Sequence, residues 1–152
     1  MKKILGLVIS LTIIAGVCAA VLAYINQLTA EPIKATAAKN EAAAREAVLL
    51  GDKTGLAAIG VSQAGYGGEI KLMVGFKEDR KTVISYKVLA ASETPGLGMK
   101  LSTPEFSTQF SGKDGTALKV KKDGGEIEAI TSATITSRAV CEAIADARKR
   151  LQ

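Results

Sequence analysis

Hydroxyl side chains that could bind or carry a phosphate cluster near the C-terminus, in Thr131-Ser132-Ala133-Thr134-Ile135-Thr136-Ser137. A run with helical periodicity follows directly. Hydroxyls in front of a helix can cap its free N–H groups. The same N–H groups, together with the helix dipole, form a seat for a phosphate. Composition and spacing alone leave both interpretations open, and a Ser/Thr-rich cap is the more common of the two.

Several other chemistries are excluded by what the chain lacks. It contains no His, so the usual general base, the proximal haem ligand and the commonest metal ligand are missing. Its two cysteines, Cys18 and Cys141, are too few for an iron–sulfur cluster, so no metal site is predicted. A net charge of +5 with only three Tyr and three Phe does not favour nucleic-acid binding. If this chain carries electrons, the carrier must be organic.

The elements that must position the hydroxyl cluster begin with a hairpin. Residues 69–77 alternate, with Ile70, Leu72, Val74 and Phe76 on one face, and residues 82–91 are rich in β-branched and aromatic side chains. The polar residues 78–81 join these two strands. Residues 103–110 predict a short helix that starts at Thr103 and Pro104 and buries two phenylalanines.

The rest of the domain predicts a second hairpin and a closing helix. Residues 117–121 and 126–130 read as strands around 122–125, which would place the hydroxyl cluster at the exit of the last strand. Residues 136–151 predict a helix with Val140, Ile144, Ala147 and Leu151 on its apolar face. Cys141 beside that face is expected to be a buried small hydrophobe. The fold class is therefore α+β, an antiparallel sheet with flanking helices.

The N-terminus predicts a membrane anchor. Residues 4–25 carry no charge and, at about 1.5 Å per residue, can cross a hydrocarbon core of about 30 Å. Lys2 and Lys3 precede this run, so the positive-inside rule places the N-terminus in the cytoplasm and the C-terminal domain outside. The alternative is a cleaved signal peptide, although the run is longer than the usual apolar region of one.

An Ala-rich segment follows the anchor, and Ala is the best helix former. It predicts a separate helix from Thr29 to Leu50, with Pro32 in its first turn and Gly51 as its stop. That helix either holds the domain off the bilayer or packs on the domain's own sheet. The predicted organisation is an anchor (1–28), a helical spacer (29–51) and an extracytoplasmic domain (52–152).

Two motifs resemble a known family. Glu128-Ala129-Ile130-Thr131-Ser132-Ala133-Thr134 is similar to the flavinylation motif of the FMN-binding domain family, which usually has Asp in place of Glu128 and Gly in place of Ser132. In that family a flavin transferase joins FMN through its phosphate to the last threonine. The resemblance implies that Thr134 is the covalent acceptor. It also implies that Glu128, Thr131, Ser132 and Ala133 form the recognition motif.

The second motif, Ser92-Glu93-Thr94-Pro95-Gly96-Leu97-Gly98, resembles a segment of one branch of that family. This branch is the G subunit of the Rnf ion-translocating electron-transport complex, with the C subunit of the Na+-translocating NADH:quinone oxidoreductase more distant. The resemblance runs from Gly65 to about Ala147. It implies that Glu93, Thr94, Gly96 and Leu97 contact the flavin ring or ribityl chain. A similar Gly-Tyr-Gly-Gly, here Gly65 to Gly68, opens the first central strand of the family.

The resemblance implies an electron-carrying subunit rather than a stand-alone enzyme. Its FMN would be linked by a phosphoester to Thr134, and it would sit in the inner or cytoplasmic membrane beside the other membrane and redox subunits of an Rnf-type complex. Two alternatives remain open at this point. One is a module that senses or binds flavin, or another phosphate-bearing ligand, without a covalent bond. The other is a structural assembly subunit in which the hydroxyl run only caps a helix.

Overall fold

The computed structural model describes the backbone of residues 2–151 and the side chains of residues 6–151. Its first helix is α1 (Lys2–Leu49). The part of this helix that starts at Gly6 is long and apolar enough to cross a membrane. The large apolar side chains of that segment are exposed, as expected for a membrane helix or a signal sequence. The orientation inferred from Lys2 and Lys3 rests on side chains outside the described set and stays a prediction.

The chain divides into two compact units, one up to Lys39 and one from Asn40 onward. The helix predicted over 29–50 is present and ends at Leu49, but it has no start of its own near Thr29, since α1 runs through Pro32 without a break. A proline inside a helix removes one hydrogen bond and costs about 3 kcal/mol. The sequence after Pro32 is rich in alanine, the residue with the highest helix propensity, and this favours continuation of the helix past the proline.

Three antiparallel strands form the sheet of the second unit, β1 (Leu56–Ser62), β2 (Ile70–Phe76) and β3 (Val83–Ala91). Strand β2 lies in the centre, with Leu72 opposite Gly60 on β1 and Val88 on β3. The β2–β3 hairpin is confirmed within a residue of its predicted ends. Strand β1, at one edge of the sheet, lies in the Gly-rich stretch 51–68, whose composition is typical of a loop or an edge strand.

Both faces of the sheet are covered. One face carries Ile70, Leu72, Val74 and Phe76, which are fully buried in the main core. Helix α3 (Thr134–Lys149) packs on this side through its predicted apolar stripe. The last turns of α1 cover the other face, where Ala44 and Val48 pack against Ala57 and Met73. The predicted α+β class with an antiparallel sheet and flanking helices is confirmed.

The segment between β3 and α3 is largely irregular. It contains α2 (Pro104–Ser107), which continues as a 3-10 turn, Thr108–Phe110, and it buries Phe106 and Phe110 as predicted. The predicted second hairpin was wrong. Lys121–Asp123 is a 3-10 turn, and a single parallel bridge joins Val120 to Ile127. Each of the two segments that read as strands contains one of these buried residues, with exposed residues on both sides of it.

Candidate functional site

Helix α3 begins at Thr134, directly after the hydroxyl-rich turn. Ala133 occupies the N-cap position, with φ −133° and ψ 45°, and no side chain caps the helix in the described part of the chain. Thr131 and Ser132 are exposed. The interpretation of the hydroxyl run as a cap for the N-terminus of α3 is therefore wrong. The N–H groups of the first turn lack side-chain partners and are open to a ligand.

The conformation of this turn is held by a buried serine one helical turn into α3. Ser137 accepts a hydrogen bond from the Ile130 N–H at 2.9 Å and donates one to the Ala133 carbonyl at 3.0 Å. Ser132 lies between these points with φ +63°, a left-handed conformation that favours glycine. This explains physically why the similar family motif usually has Gly at this position.

Thr134 itself is half-buried at the start of the helix. The two residues that follow it differ sharply in exposure, because Ile135 is 47% exposed and Thr136 is 1% exposed. The Nζ atom of Lys122 lies 3.4 Å from the Thr134 Oγ1 atom. A hydroxyl, a helix N-terminus and a cation therefore meet at one point, an arrangement that favours a phosphate.

Glu93 ties the second motif to α3 and to the Gly-rich loop before β2. Its side chain is 6% exposed, and its Oε2 atom accepts a hydrogen bond from the Thr136 hydroxyl at 2.6 Å. Its Oε1 atom accepts one from the Gly67 N–H at 3.1 Å. Both carboxylate oxygens are thus engaged by the protein. Glu93 holds three segments together.

Two glycines allow these segments to approach each other so closely. A Cβ atom on Gly67 would lie 1.8 Å from the carbonyl oxygen of Ser92. A Cβ atom on Gly98 would lie 2.4 Å from the Oε2 atom of Glu93. Any larger residue at either position would push the loop away from the buried carboxylate.

These segments enclose a cavity of about 570 Å³, within the range of about 300–1,000 Å³ typical of small-molecule sites. Its exposed lining includes the large side chains of Tyr66, Leu97 and Ile135, and its buried lining includes the polar Glu93 and Thr136. The residues that line it are Tyr66, Glu93, Thr94, Leu97, Gly98, Ser132, Ala133, Thr134, Ile135 and Thr136. An aromatic side chain, exposed apolar side chains and a phosphate-favouring corner are what a planar ring system with a phosphate tail requires, so the residues fit FMN.

The structure brings most of the predicted site residues together in this cavity. Glu93, Thr94, Leu97, Ser132, Ala133 and Thr134 all line it. The sequence did not single out Tyr66, Ile135 or Thr136 as site residues. The only sequence signal at Tyr66 is its Gly-Tyr-Gly-Gly setting, which the family resemblance associates with the start of a strand.

Other predicted site residues lie elsewhere. Gly96 is an exposed turn residue with φ +75° and does not line the cavity. Glu128 and Thr131 line a separate shallow groove. In that groove the Glu128 N–H donates to the Gln109 Oε1 atom at 2.8 Å, and its carboxylate pairs with Lys121. Glu128 is thus exposed and paired with Lys121, and it lies outside the cavity.

No cluster of three or more His, Cys, Asp or Glu side chains that could hold a metal occurs among residues 2–151. Cys141 is buried in α3, as predicted, and burial raises the pKa of its thiol to about 12. Tyr86 lies in the same core, and burial raises the pKa of its hydroxyl as well. These groups support the fold and do not line the cavity.

Comparison with known proteins places the chain in a family. The model of the FMN-binding domain matches residues 65–149, more than half of the chain. The G subunit of the ion-translocating oxidoreductase complex of Methanosarcina acetivorans is 41% identical over 83 residues, which cover 55% of this chain and 44% of that protein. The G subunit of the proton-translocating ferredoxin:NAD(+) oxidoreductase complex of Clostridium ljungdahlii is 41% identical over 100 residues, covering 64% and 54%.

The chain thus spans about half the length of the curated relatives that it matches. Among solved structures, the C subunit of the Na(+)-translocating NADH-quinone reductase of Parabacteroides distasonis is 28% identical, with a TM-score of 0.49, and the match covers 61% of this chain and 51% of that one. The matched region of the family model contains both sequence motifs and every residue that lines the cavity. The chain is a member of the FMN-binding domain family.

Proposed function

We propose that this protein is a membrane-anchored electron-transfer subunit that carries FMN linked through its phosphate to Thr134. One observation carries the proposal. The Thr134 hydroxyl lies at the uncapped N-terminus of α3, on the wall of a cavity that also contains Glu93, Thr94 and Leu97 from the second motif. The two motifs are about 35 residues apart in sequence, yet residues of both line the same cavity.

Each part of the site has a role that its chemistry supports. Thr134 supplies the oxygen of the phosphoester, and the N-terminus of α3 stabilises the remaining negative charge by about 0.3–1 kcal/mol. Leu97 and Ile135 offer exposed apolar surface to a ring, and Tyr66 offers an aromatic face. Glu93 holds the walls in place through Gly67 and Thr136. The bound flavin would supply the redox chemistry, and the protein would supply its position.

The linkage requires a maturation partner. Forming it exchanges the Oγ1–H bond of Thr134 for an Oγ1–P bond, breaks the bond to the leaving group of an activated flavin nucleotide, and releases a proton. A flavin transferase would perform this step. It would recognise Glu128, Thr131, Ser132 and Ala133, of which all but Ala133 are exposed. Covalent attachment would keep the cofactor in a compartment that has no pool to replace it.

The wider setting follows from the relatives and from α1. The curated relatives are named as subunits of ion-translocating oxidoreductase complexes. We infer that this protein works beside other membrane and redox subunits of an Rnf-type complex, with the apolar N-terminal part of α1 in the lipid bilayer of the inner or cytoplasmic membrane. The apolar segment of α1 supports the anchor. Lys2 and Lys3 favour a cytoplasmic N-terminus and an extracytoplasmic domain.

The experiment that tests the proposal is flavin fluorescence in a denaturing gel, on the full chain coexpressed with an active flavin transferase. We expect a fluorescent wild-type band, a dark Thr134→Val band, and fluorescence retained in Thr134→Ser, which keeps a hydroxyl. Thr108→Val, at an exposed threonine directly after α2, serves as the matched control and stays fluorescent. A dark wild-type band beside a positive control substrate refutes the covalent linkage. Flavin that is bound in the native protein but lost on denaturation indicates the non-covalent module.

A further inference from the structure

A lysine of the loop before the motif lies beside the acceptor hydroxyl. Lys122 belongs to the 3-10 turn Lys121–Asp123, and its Nζ atom is 3.4 Å from Thr134 Oγ1. In the sequence, Lys122 is one of several charged residues in a predicted hairpin turn, so no role is predicted for it. Neighbouring lysines do not share its position. Lys121 pairs with Glu128, and the described hydrogen bonds do not connect Lys119 to Thr134.

The turn that carries Lys122 is fixed at both ends. Val120, just before it, is buried in the core, and Gly124, just after it, adopts φ +79° to end it. Within the turn, Asp123 accepts two hydrogen bonds from Arg138, from Nε at 2.6 Å and from Nη2 at 2.7 Å. Two parallel bonds fix orientation as well as distance.

The two hydrogen bonds between Asp123 and Arg138 form a clamp that joins the turn to α3. Arg138 is four residues after Thr134 on α3, so both side chains lie on the same face of the helix. The clamp therefore holds the turn against the part of α3 that presents the acceptor hydroxyl. The hydrogen bonds with Arg138 lower the pKa of Asp123, and the pKa of Arg138 is raised, so both partners stay charged across the neutral range.

Resting on the proposed function, we propose that Lys122 is a positioning residue whose ammonium pairs with the phosphate carried on Thr134. A phosphodiester keeps one negative charge, and Lys122 supplies one compact positive charge within reach of it. The helix N-terminus faces the same phosphate from the protein side. Together they restrain the tether, which limits how far the linked ring can swing out of the cavity.

The first test measures the accessibility of the amine. The full chain is loaded with flavin by coexpression, then treated with a limiting amount of an amine-acetylating reagent, and each lysine is quantified by peptide mass spectrometry. Pairing with an anion keeps an amine protonated, so we expect Lys122 to react roughly two- to fivefold more slowly in loaded protein than in Thr134→Val, a modest effect for an exposed pair. Lys119, in the same loop, is the internal control and reacts equally in both.

The second test measures the mobility of the linked flavin. Lys122→Met is expected to lower the fluorescence anisotropy of covalently bound flavin, and raised salt is expected to have a similar effect on wild type. Lys122→Arg keeps the cation and restores the wild-type value, whereas Lys119→Met leaves it unchanged. Equal unfolding midpoints for all variants separate a positioning role from a general loss of structure.

The outcomes separate this inference from the proposed function. Loaded protein in which Lys122 reacts at the same rate as in Thr134→Val overturns the pairing and leaves the covalent linkage intact. The same holds if Lys122→Met and wild type give equal anisotropy. Wild-type protein without flavin in a denaturing gel overturns the proposed function, and the inference falls with it.

Discussion

The buried carboxylate of Glu93 gives a quantitative test of how the cavity is built. Glu93→Leu keeps a side chain of similar size but removes the acceptor for the Thr136 hydroxyl and the Gly67 N–H. Thr136 is buried, and a buried donor left without a partner costs about 1–3 kcal/mol, whereas Gly67 is exposed and its N–H can bond to water. The expected loss is therefore about 1–3 kcal/mol in the free energy of unfolding, nearly all of it at Thr136. Glu105→Leu, at an exposed glutamate on α2, is the matched control and should change stability by no more than about 0.5 kcal/mol.

A double-mutant cycle isolates the bond to α3. Thr136→Val removes the hydroxyl with little change of shape, so combining it with Glu93→Leu replaces both partners by apolar groups. Such a pair is less costly than the sum of its single changes. We expect a coupling energy of about 1–3 kcal/mol from urea unfolding of the full chain in detergent, followed by circular dichroism. A coupling below about 0.5 kcal/mol would refute the reasoning that Glu93 holds α3 to the second motif.

Three further predictions follow from single residues. Ser132→Gly relieves a φ of +63° and should stabilise the fold by about 0.5–1 kcal/mol in urea unfolding, whereas Ser111→Gly, at φ −62°, should destabilise it. Gly98→Ala places a Cβ atom 2.4 Å from Glu93 Oε2 and should cost about 1–3 kcal/mol by the same measurement. In a Cys18→Ser background, the thiol of Cys141 should resist a disulfide reagent at pH 8 until denaturant is added. The folded pKa of the Cys141 thiol, about 12, exceeds the ordinary value of 9.0, so its contribution to the free energy of unfolding is complete below pH 9 and is lost as the pH rises toward 12. Cys141→Ala should remove this part of the pH dependence.

Periodicity predicted those parts of the fold in which burial and hydrogen bonding follow the same pattern. The alternating residues of β2, Ile70 to Phe76, are buried on the core face and paired on both sides. Val140, Ile144 and Ala147 of α3 are fully buried, as the helical spacing indicated. In both elements a simple repeat of apolar residues is sufficient, because a regular backbone presents one face to the core.

The predicted second hairpin was wrong because burial and backbone hydrogen bonding do not follow the same pattern there. Val120 and Ile127 are buried and lie on either side of a Gly-containing turn, which resembles two short strands. The backbone between them instead forms a 3-10 turn clamped by Arg138, and Ile127 bonds to it in a parallel sense. Alternation reports which side chains are buried, and it does not report which backbone groups pair. Long-range contacts such as the one between Asp123 and Arg138 decide that, and local sequence does not contain them.

The site was predictable only where its residues are adjacent in sequence. Thr134 and Glu93 were found through motifs, but the contact of Glu93 with Thr136 joins residues 43 positions apart. The close approach of Gly67 to Ser92 likewise depends on the register of β2 and β3. Tyr66 enters the cavity because that approach carries its loop to the rim. A flanking pair of glycines indicates a sharp turn, yet it does not indicate what the turn will face.

The uncapped start of α3 is the point at which stability and binding compete. A hydroxyl cap is worth about 1 kcal/mol, and Thr131, Ser132 and Thr134 all lie close enough in sequence to offer one. Within residues 2–151 no side chain takes that position, and Ser132 instead adopts a left-handed conformation that adds a cost. A cap would occupy the N–H groups that an anion on Thr134 needs. Local rules that are broken at one place are expected where a ligand binds, so the missing cap supports the proposed phosphate at Thr134 more strongly than the hydroxyl-rich composition does.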